Sequence, residues 1–425
     1  MTAPSVFLVG GAVRDELLNL PVVDRDWVVV GSTPSAMLNE GYLQVGKDFP
    51  VFLHPDTKEE YALARTERKS GTGYQGFEVH ASPDVTLEQD LARRDLTINA
   101  IAKHQSGELF DPYDGARDLA NKTLRHVTDA FSEDPLRVLR VARFAARFSN
   151  LGFVIAPETM ALMRNISASG ELKTLSCERV WQETERALGS ARPRVYFETL
   201  RECGALAALF PEVDALFGIP QRPEYHPEID TGLHCMLAID QICQQTSDTK
   251  MRFATLVHDL GKATTPAHIL PGHQGHEERS AQLTEVMCDR LRIPNAFRKL
   301  AVKVARDHLN CHRALQLKPS TVERLLSRLD AWRNEDYVVG FVNCCMADAR
   351  GRTGLETRPY PQFDYLLDCA AAGKEVQAKE FVSAGLKGEQ LGDAIRQERI
   401  KRIAGIKKAY SHIDEEKFTR TVAKK

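Results

Sequence analysis

The 425-residue chain is too long for one ordinary core, and its 43% hydrophobic and 27% charged residues suit globular domains and exclude extended disorder. A formal net charge of −2 argues against a protein that coats nucleic acid through a global positive field, so any RNA contact must come from local basic faces. Nine cysteines, an odd number without any C-x-x-C spacing, argue against a disulfide framework or zinc ribbon and leave reduced, mostly buried thiols.

Met1–Ser5 lead straight into the apolar run Val6–Val9, and no run in the chain is long enough to span a bilayer; a soluble, cytoplasmic protein with no membrane contact is expected. Residues 1–125 alternate short β-rich runs (Val6–Val9, Trp27–Val30, Glu60–Ala64, Glu108–Phe110) with helical segments and Gly, Pro and Asp turns. From about Thr128 the pattern turns helical: Leu136, Leu139, Val141, Phe144 and Ala145 recur at helical spacing through Ser132–Phe148, with arginines on another face. No strong strand follows. The Pro-rich run from Phe217 to Pro227 reads as a linker into a histidine-rich helical region that ends near Trp332. A helical tail follows and closes on the basic stretch Ile400–Lys425, where Lys401, Arg402, Lys407, Lys408, Lys424 and Lys425 form a candidate phosphate-gripping face. The expected fold class is α+β, divided as a small head (1–127), a helical body (128–222), a second all-α domain (223–332) and the tail (333–425).

The first strand runs into Gly10-Gly11-Ala12-Val13-Arg14-Asp15 at the start of a helix. Glycines there let backbone N–H groups approach a phosphate, and Arg14 can add a charge-assisted bond. Asp24-Arg25-Asp26 precedes Trp27–Val30; side chains alternate along a strand, so Asp24 and Asp26 share one face and repel unless a cation lies between them. Two Mg²⁺ ions held there would activate an attacking hydroxyl and neutralise departing pyrophosphate. An isolated D-x-D is usually a solvated surface pair. Behind Gly-Gly-x-x-Arg-Asp it reads as a metal site, with Glu60 the candidate third carboxylate.

These residues resemble the DNA polymerase β superfamily of nucleotidyltransferases, and within it the bacterial class II CCA-adding enzymes. Arg93-Arg94-Asp95-Leu-Thr-Ile-Asn99 is similar to the family's second motif, whose side chains contact ribose and triphosphate; Asp95 and Asn99, four apart, are expected on one helix face. Glu133-Asp134-Pro-Leu-Arg137-Val-Leu-Arg140, with Arg143 one turn on, resembles the motif that selects the incoming nucleotide, and Arg68–Phe77 resembles the family's flexible loop. Asp134 only accepts hydrogen bonds and Arg137 only donates them. Cytosine and adenine each offer an amino donor beside a ring-nitrogen acceptor, whereas uracil and guanine present the reverse order. Unpaired polar groups in a closed site discriminate by about 10⁴-fold, which gives a protein template for CTP and ATP. A plain helix cap at Asp134 is compatible with that role.

His258-Asp259-Leu-Gly-Lys262, with His234 upstream, resembles the HD superfamily of metal-dependent phosphohydrolases. His258, Asp259 and His234 are the expected ligands and Asp259 a possible bridge; His273, His276, His308 and His312 are weaker candidates, and Asp348 is too distant in sequence to assign. The resemblance implies CCA addition to transfer RNA from ATP and CTP with Mg²⁺, together with phosphatase, 2′-nucleotidase and 2′,3′-cyclic phosphodiesterase activity supported by Ni²⁺ or another transition metal. It also implies a tRNA partner, no DNA, and a monomer or homodimer. Two rival transferases fit less well. Poly(A) polymerases generally carry a second basic residue where Val45-Gly46-Lys47-Asp48 has an acid, and protein uridylyltransferases have a Gly-Ser phosphate loop and a longer chain. A non-catalytic RNA-binding protein would have no use for the carboxylates.

Overall fold

The computed structural model describes residues 4–45, 51–69 and 77–413. Gly46–Phe49, most of the expected flexible loop and Lys424-Lys425 lie outside them. The chain divides into two compact units, residues 1–191 with 195–209 and residues 192–194 with 210–425.

The first unit opens on a seven-stranded mixed sheet of β1 (Ser5–Val9), β2 (Asp26–Val30), β3 (Leu43–Val45), β4 (Val51–Leu53), β5 (Glu60–Leu63), β8 (Ala102–His104) and β9 (Leu109–Phe110), in the order β3-β4-β5-β2-β1-β8-β9. A small hairpin, β6 (Thr66–Lys69) with β7 (Phe77–His80), stands apart from it. The apolar run of β2 does not alternate with polar residues because both sheet faces are covered. Val28 packs with Val9, Leu91 and Ala102 on one side, and Val29 with Met37, Phe52 and Leu63 on the other.

Register decides where the chemistry collects. β1 is antiparallel to β2, which sets Val9 opposite Asp26; β5 is parallel to β2, which sets Glu60 beside Asp26. β8 is antiparallel to β1, with Ala102 opposite Val9, and Gly10 donates to the Ile101 carbonyl at 3.4 Å. The end of β1, the starts of β2 and β5 and the segment before β8 therefore meet at one end of the sheet.

The first long helix runs over Leu136–Phe148, not from Ser132: Asp129–Glu133 is a 3₁₀ turn and Pro135 stands at the helix cap. Its stripe of Val138, Leu139, Val141, Ala142 and Ala145 is buried, and it packs on the helix Cys177–Leu188. Beyond Thr128 the described strands reduce to the two-residue β11 (Val154–Ile155), parallel to β10 (Thr123–Leu124).

The second unit is helical. The helices Thr231–Gln245, Thr249–Val257, His276–Arg290, Asn295–His312 and Glu335–Arg350 pack around Phe253, Leu256, Val304 and Phe341, all essentially buried. The helix Gly388–Ala409 lies on Gln362–Lys374 and Pro319–Arg328. Its basic face is partly engaged within the chain, Arg402 pairing with Glu375 at 2.9 Å and Lys407 donating to the Leu317 carbonyl at 2.6 Å. All nine cysteines are free and seven are buried. Among the described residues, no helix is long and apolar enough to cross a membrane.

Candidate active sites

In the first unit a cavity of about 550 Å³ is lined by Gly10, Gly11, Asp24, Asp26 and a dense set of charged side chains. Eight arginines (14, 93, 94, 137, 140, 143, 147 and 179) face five aspartates (15, 24, 26, 95 and 134), an excess of cation that suits a polyanionic ligand. Gly10 has φ +69°, which favours glycine, and caps the helix Gly11–Leu17. β2 begins at Asp26, so Asp24 precedes the strand instead of lying in it; both aspartates are exposed and both line the cavity. Partial desolvation by the cavity wall pushes the Asp26 carboxyl up against the pull of Arg94, and Asp24 pushes the same way. A cation beside the pair would reverse that. Glu60 is exposed at the level of Asp26, whereas the adjoining Glu59 accepts a 2.8 Å bond from Trp27 Nε1. Glu60 is not among the residues lining the cavity.

The arginines are held in place by acids and amides. Arg14, buried, donates from Nη1 to Asn99 Oδ1 at 2.6 Å and from Nε to Asp15 Oδ1 at 2.8 Å, and its guanidinium lies over Phe144. Asp95 accepts from Asn99 Nδ2 at 2.9 Å and from Arg140 Nε at 2.8 Å. Burial alone would raise its carboxyl, but Arg140 and Asn99 outweigh that and hold it well below the usual carboxylate range. The helix expected to join Asp95 and Asn99 is not there. The helix Leu87–Ala92 ends first and Leu96 is extended, so a turn closed by the Asp95 carboxylate brings the two together. Arg94 bonds the Asn99 carbonyl and Asp90, and Arg93 pairs with Asp90 at 2.9 Å.

Asp134 and Arg137 both line the cavity, but not as neighbours on a helix, which starts only at Leu136. Asp134 accepts from the Leu136 N–H at 3.0 Å and pairs with Arg179 at 3.1 Å; Arg137 donates to the Ala130 and Arg93 carbonyls. Asp134 thus ties down the first N–H of the helix as well as lining the cavity. Glu133, in the 3₁₀ turn, does not line the cavity. Sequence reasoning missed Arg147, paired with Asp15 at 2.9 Å, and Glu183, which takes Arg143 at 2.6 Å and Arg140 at 3.7 Å. It also missed Arg179. Arg179 and Glu183, four apart on one helix, were the available signal.

The second unit holds a buried histidine–aspartate cluster. Ligating atoms of His234, His258 and Asp348 lie within 4.8 Å of one another, as do those of Asp259, His276 and His308. Asp259 Oδ2 is 3.2 Å from His258 Nε2 and 4.0 Å from His234 Nε2, while Oδ1 is 3.2 Å from His276 Nε2, so this carboxylate spans both groups. Asp348 closes the first group, 3.0 Å from His234 Nε2 and 3.8 Å from His258 Nε2, and also accepts from His312 at 2.6 Å.

The ring nitrogens carry the chemical argument. Nδ1 of His234 faces the Gly351 carbonyl at 3.1 Å and Glu228 at 2.9 Å; Nδ1 of His258 faces the Thr255 carbonyl at 2.7 Å. Nδ1 of His276 faces the His273 carbonyl at 2.7 Å, and Nδ1 of His308 the Ala305 carbonyl at 3.0 Å. A carbonyl only accepts, so each Nδ1 carries the hydrogen and each neutral ring turns a bare Nε2 lone pair inward. His276 and His308 Nε2 are then 3.2 Å apart, two lone pairs facing each other, and His258 Nε2 and Asp259 Oδ1 have no hydrogen-bond partner. Cations resolve that arrangement. The donors, imidazole and carboxylate, fit transition-metal ions. His273 instead bonds Thr265 and the Pro220 carbonyl.

Residues 6–125 match the poly A polymerase head domain family and residues 152–217 the probable RNA and SrmB-binding site of polymerase A. The multifunctional CCA protein of Thioalkalivibrio sulfidiphilus is 59% identical over 94% of this chain and 98% of its own, and that of Hahella chejuensis is 55% identical over 94% and 95%. Among solved structures, the Thermotoga maritima CCA-adding enzyme complexed with tRNA aligns at TM-score 0.63 and 19% identity over 98% of this chain and 90% of its own. The Bacillus stearothermophilus CCA-adding enzyme in complex with CTP aligns at 0.59 and 22% over 95% and 89%; both likenesses concern the fold.

Proposed function

The chain belongs to the family of bacterial multifunctional CCA proteins, and from that premise we propose how its two sites divide the work. It is a CCA tRNA nucleotidyltransferase: it adds and repairs the 3′-terminal CCA of tRNA from CTP and ATP, releasing pyrophosphate, and its second unit is a metal-dependent phosphohydrolase.

In the head, Asp24 and Asp26 would hold Mg²⁺, with Glu60, paired beside Asp26, as the third carboxylate. Cations held there would supply charge neutralisation of the triphosphate and activation of the tRNA 3′-hydroxyl. Gly10, Gly11, Arg14 and Arg94 cradle the triphosphate, Arg140 and Arg143 steady the nucleotide, and Asp134 with Arg137 reads the base edge. Arg93, Asp95 and Asn99 position those groups, and Glu133 supports the turn behind Asp134. The observation that carries the reading is the convergence of the two exposed acids and eight arginines on one cavity.

In the second unit His234, His258, Asp259 and Asp348 would hold one divalent ion, and Asp259, His276 and His308 would hold a second, with Ni²⁺ the fitting choice among transition metals. Such ions polarise a phosphoester towards water. Lys262, 2.6 Å from Asp259, and Glu228 behind His234 orient the ligands. Damaged tRNA 3′ ends bearing cyclic or terminal phosphates are the matching substrates. We assign residues 1–127 to the nucleotidyltransferase head, 128–222 to the nucleotide-selecting body, 223–332 to the hydrolase domain and 333–425 to the tail.

The test incubates the protein with each labelled triphosphate and tRNA lacking its 3′ end. Incorporation of C, then C, then A, and then arrest is expected. UMP incorporation or a long A-tail would defeat the assignment.

A further inference from the structure

We propose that Arg352 and Arg358 form a phosphate subsite in the hydrolase cavity that takes a second phosphate, one the metal centre does not cleave. The site is then built for the terminal nucleotide of an RNA 3′ end, or for a nucleotide bearing a 5′-phosphate, in preference to a lone phosphoester. This rests on the hydrolase reading above.

The cavity, about 660 Å³, is of nucleotide size and has His276 and His312 in its wall. Five cations line it (Arg222, Lys262, Arg313, Arg352 and Arg358) against one acid, Glu277. Lys262 is already engaged by Asp259 and by Gln221 at 2.5 Å. Arg352 reaches Asp348 only at 3.6 Å, and its Nε is buried without a hydrogen-bond partner. The Arg358 side chain makes no hydrogen bond or ion pair among the described residues, and its Nε is likewise buried and unmatched. Burial, and then the nearby Arg352, push the Arg358 guanidinium down to about 10.

Two partly desolvated guanidiniums within Coulombic reach of each other are costly unless an anion joins them, and a phosphate accepts from both. The anion cleaved at the metal centre would be neutralised by the ions held there. Arg358, which pairs with none of the ligand carboxylates, is left for another phosphate. Placement supports this: Asp348 stands in the last turn of the helix Glu335–Arg350, both arginines follow in the stretch that leaves it, and Arg350 Nε pins that stretch by donating to the Arg358 carbonyl at 3.2 Å. In a terminal ribonucleotide the 2′,3′ edge and the 5′-phosphate lie at opposite sides of one ribose, so a single sugar can offer its 3′ end to the metals and its 5′-phosphate to the arginines.

The test compares adenosine 2′,3′-cyclic phosphate with the same compound carrying a 5′-phosphate, using the whole nickel-loaded chain. Wild type should favour the 5′-phosphorylated substrate by about tenfold or more in KM, the scale of charge-assisted bonds to one phosphate. Arg358→Gln should erase that preference while leaving kcat and KM for the other substrate unchanged, and Arg358→Lys should restore part of it. A second arm titrates adenosine 5′-phosphate into protein in EDTA by calorimetry. Wild type and Arg358→Gln share an unaltered head, so the expected tighter binding by wild type reports the subsite alone. Equal loss on both substrates, or equal calorimetric affinity, would overturn the proposal. Should wild type hydrolyse neither compound, the hydrolase reading itself fails, and the calorimetric arm still decides whether Arg358 holds a phosphate.

Discussion

Asp95 shows what one buried acid does in the head: it clasps Arg140, Asn99 and the Leu96 N–H at once, and through Asn99 it reaches Arg14. Asp95→Asn should cost about 2 kcal/mol, the usual worth of hydrogen bonds to a charged group, measured by urea unfolding at pH 7. Because the folded carboxyl titrates below its ordinary value, this stabilisation is present above about pH 4 and lost as pH falls further. Wild type and variant should therefore converge in acid; a constant gap would show that the asparagine damages packing instead. Asp26 is the opposite case, an exposed acid. Asp26→Asn should lower nucleotide incorporation at least about a hundredfold, as loss of a metal ligand removes several kcal/mol of transition-state stabilisation, with an unchanged unfolding curve. Asp26 stood out in the sequence because its signals are local: a strand end, a glycine pair, a spacing of two. Asp95 stood out only through the resemblance of Arg93–Asn99 to a family motif, its partner Arg140 being far along the chain. Asp348 did not, because only the packing of the helices Thr231–Gln245 and Glu335–Arg350 carries it to His234. The unrecognised Arg179 and Glu183 likewise act across a helix pair.

Among the elements, the segment after the His-Asp pair depends on one glycine. A Cβ on Gly261 would lie 2.2 Å from the His276 carbonyl oxygen and 2.5 Å from the Ser280 nitrogen, both backbone atoms that cannot swing aside. The glycine lets the turn Leu260–Thr264 press on the helix His276–Arg290 and so sets His276 against Asp259. Gly261→Ala should cost about 1–3 kcal/mol through overpacking and lower hydrolysis at least about tenfold. Gly392→Ala, with nothing near its Cβ inside the helix Gly388–Ala409, should raise stability by about 0.5–1 kcal/mol and leave hydrolysis alone. Equal tolerance at both positions would remove the close approach as the explanation. The sequence showed this glycine as part of a motif, but not what it touches. Element boundaries were legible to within a residue at β1 and β2, whereas the helix expected over Ser132–Phe148 kept its end but begins only at Leu136. They failed at Asp95–Asn99 and Asp134–Arg137, where side-chain bonds to the backbone favoured turns over the helix that spacing alone suggested.

Across the whole molecule the two units offer ligands of different chemical kinds. The head's candidate set, Asp24, Asp26 and Glu60, is all oxygen, which suits a hard, strongly hydrated ion such as Mg²⁺. The second unit's set combines four inward-facing imidazoles with two buried carboxylates, a donor set that suits borderline transition metals better than Mg²⁺. No residue belongs to both sets, and each set lies within one compact unit. Exhaustive chelation should therefore silence both reactions while leaving the fold in place. Adding back millimolar Mg²⁺ should then restore CCA addition to truncated tRNA, with hydrolysis of a 2′,3′-cyclic nucleotide recovering only on micromolar Ni²⁺. His258→Ala should abolish the nickel-restored activity and keep CCA addition within about twofold, the scatter expected for a substitution that shares no partner with the head site. Full recovery of hydrolysis on Mg²⁺ alone would overturn the division of metals by ligand type, and loss of CCA addition in the His258 variant would show that the two sites are not chemically independent.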